Sequence, residues 1–241
     1  VANPLEQFTI KPIVPVRLGA VDASLTNSGL FMILAVAAVV GFVFHGMRSK
    51  DMVPGRVQSM AELGYEFIAG MVRENIGSEG RVYFPFVFSL FMFILFGNML
   101  GLIPGAFTFT SHIVVTFAMA AFVFVMVTLI ALTRHGLRFF GFFVPSGVPK
   151  ALLPLMAVIE LLSYLSRPLS LSIRLFANMM AGHTMLKVFA GFVVPLGLLG
   201  GWAPLSVAVA LTGFEFLVAF LQAYVFAVLT CMYLRDAIHL H

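Results

Sequence analysis

Between Ile113 and Thr133 the chain runs IVVTFAMAAFVFVMVTLIALT without a charged residue. About 20 apolar residues suffice for a helix to cross the hydrocarbon core of a bilayer. Inside that core every backbone N–H and C=O must be satisfied by the protein itself, which only helices and closed barrels achieve. A barrel would show short segments of alternating polarity instead. Comparable apolar stretches occur at Leu30–Phe44 and Val82–Ile103 and, in longer form with a few polar residues, at Ala151–Val193 and Leu205–Leu234. The composition agrees: 10% of the residues are charged, against about 25% in soluble domains. The sequence therefore predicts an all-α membrane protein with about five membrane helices.

Residues 1–241 read as a single membrane domain, and the segment before the first span reads as an external N-terminal arm, 1–27. This arm lacks a basic region followed by an apolar core, so it is not a signal peptide. The first span covers 28–46. From 55 to 75, Val57, Met60, Leu63, Phe67 and Met71 recur at helical spacing while Glu62, Glu66 and Arg73 take other faces. That pattern predicts an amphipathic interfacial helix or a contact for a partner helix. A helical hairpin follows at 82–133, its arms joined by PGAFTFTSH, and a second hairpin at 150–236 is interrupted by PLGLLGGWAP. Arg48, Lys50 and Arg56 lie in one loop and Arg134, Arg138 and Lys150 in another, whereas the 103–112 turn has no lysine or arginine. Positive loops mark the cytoplasmic side, which places the N-terminus outside and the C-terminus in the cytoplasm.

The last hairpin is too long for a simple crossing. At about 1.5 Å per residue the stretch from Ala151 to Val193 would extend roughly 65 Å, twice the hydrocarbon thickness. It must be broken, with Pro168 as a kink point, or strongly tilted against a large partner. Within it and its neighbour stand Glu160, Ser163, Arg167, Ser170, Arg174, Asn178, His183, Glu215 and Gln222. A charge at mid-membrane costs about 2.5–3.5 kcal/mol on insertion scales, so such a cluster calls for a function.

Glu160, Arg167 and Arg174 recur at heptad spacing and are expected on one stripe, with His183 on the opposite face. An antiparallel turn near Leu199 would bring His183 to Glu215, and Arg174 to within half a turn of Gln222. Carboxylate and imidazole can relay protons when their surroundings are tuned. Guanidinium stays protonated and cannot. An arginine between two wet paths would let protons approach the centre from both sides without passing straight through.

RPLSLSIRLFANMMAGH, Arg167 to His183, closely resembles the signature of the subunit a family of F-type ATP synthases. The likeness extends to FGNMLGLIPG with Asn98 and Pro104, to Glu160, and to a last helix carrying Glu215 and Gln222. The resemblance implies a stator channel that conducts protons through two offset half-channels to and from the carboxylates of a rotating c-subunit ring, coupled to ATP synthesis. Arg174 matches the family's obligatory arginine. Asn178, His183, Glu215 and Gln222 match the outer half-channel, Glu160 and Ser170 the inner side, with Asn98 and Arg167 as accessory positions. His183 and Glu215 stand in the mitochondrial-like order, which some bacterial members exchange. The arm before Ser28 is variable in the family.

The resemblance further implies a multi-pass protein of a bacterial inner membrane, without covalent chemistry, cofactor or metal of its own. Its expected partners are the c-ring, peripheral-stalk b-type subunits, other ATP synthase subunits and membrane lipid. The net charge of +4 is small and dispersed, which does not suggest nucleic acid. Cys231 is alone and cannot form an intrachain disulfide or a cysteine metal cluster. Two other classes have their own requirements. A self-contained ion-coupled secondary transporter, with Arg174 on an anionic substrate, predicts an internal repeat that the chain lacks. A membrane haem or redox subunit needs facing histidines, and only His183 lies deep. The other readings are structural: Asn98 can bridge helices, Arg167 can pack or touch lipid, Lys187 can snorkel outward, and His112, His135, His239 and His241 are expected to touch water.

Overall fold

The structure is a computed structural model that describes residues 8–15, 17–18, 21–22, 24–48, 53–103, 105–136, 139, 141 and 152–239. Pro104, Lys50, Arg138, Lys150 and His241 lie outside the described residues, as does the beginning of the arm. The described residues of the arm include strands β1 (Pro12–Val14), β2 (Arg17–Leu18), β3 (Val21–Asp22) and β4 (Leu25–Thr26). They pair antiparallel as β1 with β4 and β2 with β3, a nested hairpin that the sequence reading did not anticipate.

Among the described residues seven α-helices follow: α1 (Asn27–Arg48), α2 (Arg56–Ile76), α3 (Phe84–Gly101), α4 (Ile113–His135), α5 (Leu153–Val193), the single turn α6 (Gly197–Gly200) and α7 (Trp202–Ile238). Among the described residues, five helical segments are long and apolar enough to cross a membrane: α1, α3 with the 3₁₀ turn before it, α4, α5 and α7. The fold is thus the expected helical membrane bundle.

Local chemistry sets the helix ends. The Thr26 hydroxyl accepts from Gly29 N–H at 3.2 Å and Asn27 Oδ1 from Ser28 N–H at 2.9 Å, so side-chain oxygens satisfy orphan donors at the start of α1. Gly77 takes φ +86° after α2 and Gly136 takes φ +56° after α4, backbone conformations that glycine reaches without a Cβ clash. His135 closes a different helix. Its Nε2 lies 3.1 and 3.2 Å from the carbonyls of Ala237 and Ile238, and carbonyls only accept, so the ring donates to the end of α7. His135, partly exposed at the end of its span, is thus also anchored to protein.

α7 is the centre of the bundle and packs against α2, α3, α4 and α5. Ala219, Ala223 and Ala227 are fully buried along it, together with Phe226, Cys231 and Leu234. Small residues let helix backbones approach closely, which drives association where lipid is as apolar as the side chains. α2 differs in detail from the amphipathic reading. Val57, Met60, Leu63 and Phe67 are exposed, while Ile68, Met71, Val72 and Ile76 are buried against the bundle. Its apolar stripe is thus only partly its own packing face.

α5 runs through Pro168 without interruption, although proline withholds one backbone donor. Its 41 residues make a rod of roughly 60 Å, about twice the hydrocarbon thickness. Only 17% of its most apolar window is buried, against 44% for α3 and α7. One long side of α5 is therefore left uncovered by the described residues.

Candidate functional site

The turn through α6 folds α7 back along α5 and brings their polar residues into layers. His183 Nδ1 lies 3.3 Å from Glu215 Oε1. Both residues are buried, at 8% and 6% exposure. Gly182 makes the approach possible: a Cβ there would sit 2.3 Å from Glu215 Oε1. On the other side of the ring, His183 Nε2 meets the Thr108 hydroxyl at 2.8 Å. Thr108 also bonds to the carbonyl of Gly101 at 3.2 Å. A Cβ on Gly101 would come within 2.5 Å of that hydroxyl, and one on Gly97 within 2.4 Å of the Phe109 ring. Glycines on α3 thus seat the segment before α4 beside His183.

The next layer is built from amides. Asn178 donates to Gln222 Oε1 at 2.9 Å, and Asn98 on α3 donates to the carbonyl of Ala219 on α7 at 3.3 Å. Gln222 Nε2, Asn98 Oδ1, Ser172 Oγ and both oxygens of Glu215 are buried without a hydrogen-bond partner among the described residues. Buried polar groups of this kind are costly unless water or another ligand satisfies them. They define a polar seam inside an otherwise apolar bundle.

Arg174 stands apart from that seam. It is exposed on the uncovered side of α5, and it makes no ion pair or hydrogen bond with another described residue. Gln222 bonds to Asn178, one turn from Arg174. Ser166, Ser170, Arg174 and Asn178 follow one another at one-turn spacing and are all exposed, between the exposed apolar side chains Leu169 and Ile173. Glu160 is half-buried nearer the start of α5 and has no ion-pair partner among the described residues.

Arg167, at heptad spacing from Glu160 and Arg174, turns its side chain toward α7. It pairs with Asp236 at 3.0 Å and lies over the rings of Tyr164 and Tyr233 at 5.3 and 5.1 Å. An α-helix drifts by about 20° per heptad, so residues at that spacing need not share surroundings. His112 is likewise not simply water-facing: its ring stacks on Phe107 at 5.2 Å and its Nε2 is buried. Lys187 and His239 are exposed.

Sequence reasoning missed Thr108, Gly101, Gly182 and Asp236. Thr108 had no pattern to reveal it, since its partner lies on another hairpin. Gly182 offered a weak cue as the small residue directly before His183. Among the described residues no group of three or more histidine, cysteine, aspartate or glutamate side chains is placed to hold a metal ion.

These features define a class: a multi-spanning helical membrane protein with an acid–base pair and amides along one interhelical seam and, among the described residues, an unpaired guanidinium on an exposed helix face. The chain matches the family model for the ATP synthase A chain over residues 29–235. It is similar to the ATP synthase subunit a of Pelagibacter ubique, with 57% identity over 240 residues covering 99% of this chain and 98% of the relative. To that of Agrobacterium fabrum the identity is 58% over 243 residues, with 98% of each chain covered. To that of Rhodospirillum rubrum it is 53% over 239 residues, with 99% of each covered. The chain belongs to the ATP synthase A chain family.

Proposed function

We propose that this chain is the stator channel of a rotary ATP synthase, conducting protons through two offset half-channels to and from carboxylates on a rotating c-subunit ring. The observation that carries the reading is the placement of Arg174: exposed on a membrane helix, without an ion pair or hydrogen bond among the described residues, and one turn from the Asn178–Gln222 bond. An uncompensated charge there is unfavourable in lipid. A carboxylate on a neighbouring membrane protein would compensate it.

In this reading protons enter from outside past Glu215 and His183 and along the amides of Gln222 and Asn178. The buried atoms without protein partners are the hydration points of that path, with Asn98 at its edge. A ring carboxylate that gains a proton becomes neutral and can face lipid, which an ionised one cannot. After a turn it approaches Arg174, where the guanidinium favours the ionised form and the proton leaves on the side of Glu160 and Ser170. Arg174 cannot itself pass a proton on, so it separates the two paths. Arg167 supports this machinery by joining α5 to α7.

Each proton crossing about 100 mV releases about 2.3 kcal/mol, so ATP synthesis elsewhere in the complex needs several protons. The chain itself then carries out no covalent chemistry. The reading includes b-type stalk subunits, other ATP synthase subunits and lipid as partners. It places the chain in a bacterial inner membrane with arm 1–27 outside and the C-terminus in the cytoplasm. The secondary-transporter and haem readings gain no supporting observation, and the ring nitrogens of His183 already face Thr108 and Glu215.

The test is Arg174→Ala in the assembled complex. ATP-driven proton pumping into vesicles should vanish while assembly persists. Retained pumping would contradict the reading.

A further inference from the structure

We propose that Thr108 is a positioning residue that fixes the tautomer of His183, so that Nδ1 alone exchanges protons with Glu215. The inference rests on the proposed proton path and adds to it a residue from the segment between α3 and α4.

A hydroxyl has one hydrogen to donate. Gly101 is the last residue of α3, where helix carbonyls lose their intrahelical donors. A carbonyl only accepts, so the 3.2 Å contact between Thr108 and the Gly101 carbonyl uses the hydroxyl hydrogen. The same oxygen, 2.8 Å from His183 Nε2, is then left as an acceptor. Nε2 must carry the hydrogen. What remains is Nδ1, 3.3 Å from Glu215 Oε1.

Thr108 is 5% exposed, so water offers little competition for its hydrogen. Its seat depends on Gly101 having no side chain. When a protonated Glu215 passes its proton on, its O–H bond breaks as the Nδ1–H bond forms. The acid becomes carboxylate and the neutral imidazole becomes imidazolium, with Nε2–H untouched. The reverse step restores both groups and no electrons are transferred.

The charged and titratable groups around the pair are few. α5 itself carries Lys187 one turn beyond His183, with Arg174 toward the other end, and the segment before α4 carries His112. α3 has no charged residue. α4 carries Arg134 and His135 in its last turn, and Arg235 and Asp236 lie near the far end of α7. Glu62 and Glu66 of α2 line a groove with Phe42 and Phe88 of α1 and α3. Thr108 is therefore the neighbour that distinguishes the two ring nitrogens.

The experiment uses the assembled complex with this chain labelled with ¹⁵N-histidine, read by solid-state NMR. The His183 signals are those lost in His183→Gln. The expected spectrum has Nε2 protonated throughout a pH series, with Nδ1 the only ring nitrogen that changes. Thr108→Ser keeps that spectrum and the proton flux. Thr108→Val mixes the tautomers and slows ATP-driven pumping about tenfold, the loss expected from one hydrogen bond. A bare Nε2 in the unsubstituted chain overturns the inference whatever the variants do, as does Thr108→Val behaving like Thr108→Ser.

These outcomes separate from those of the wider reading. Pumping that survives Arg174→Ala would sink the proton path and leave the tautomer assignment standing. A dead Arg174→Ala with a bare Nε2 would sink only the role of Thr108.

Discussion

Asn178 on α5 donates to Gln222 on α7 at 2.9 Å, one turn along the helix from Arg174. The bond joins the two long helices beside the guanidinium while leaving it uncommitted. A side chain that held Arg174 within the chain would compete with any acid arriving from outside. In the proposed reading the amide pair leaves Arg174 free for a partner on another subunit.

His183 and Glu215 should act as a unit. Exchanging them, His183→Glu with Glu215→His, is expected to preserve more proton flux than either single change, and equal losses in all three would argue against a shared site. Gly182→Ala should push Glu215 off its position and destabilise the chain by about 1–3 kcal/mol through overpacking. Thermal unfolding in detergent and pumping in vesicles would check these effects separately.

Arg167 should contribute to holding the hairpin together. Asp236 is 39% exposed at its side chain, so solvent screening limits the ion pair to about 1 kcal/mol or less. Each ring contact is worth about 0.5–1 kcal/mol at such sites. Arg167→Ala is thus expected to cost about 1–3 kcal/mol of stability, and Asp236→Asn less. A double-mutant cycle in unfolding experiments should show positive coupling, and additive effects would remove the pair from the account.

His112 gives the stability a pH dependence. Burial holds its imidazole below the ordinary value of 6.5. The unfolded chain therefore binds this proton more readily than the folded one. The contribution of the neutral ring is present above 6.5 and is lost as the pH falls through the lower folded value. Unfolding followed from neutral pH downward should show that loss, and His112→Gln should flatten it. An unchanged slope in the variant would exclude His112 as the source.

The spans were legible because lipid leaves the backbone so few choices. Predicted bounds such as 28–46 for the first span lie close to the helix Asn27–Arg48. The contact between His183 and Glu215 was also readable, since an antiparallel turn near Leu199 fixes which residues share a depth. What the sequence hid depends on packing between hairpins. Thr108 reaches His183 only because Gly97 and Gly101 let the segment before α4 lie close. Arg167 looked like part of a heptad stripe until Asp236 and two tyrosine rings drew it inward. His112 and His135 are partly exposed at the ends of α4, and their further contacts stayed hidden because neither a ring stack nor a helix-end carbonyl leaves a local pattern.

The most direct measurement is photo-crosslinking from the uncovered side of α5 in the assembled complex. Benzophenone is attached to Ser170→Cys or Ile173→Cys, which flank Arg174, in a Cys231→Ser background; Leu171→Cys, at 1% exposure, is the buried control. The account predicts crosslinks from both exposed positions to a small membrane subunit with an intramembrane carboxylate, and none from the control. Crosslinks to lipid alone, or to a protein without such an acid, would contradict it.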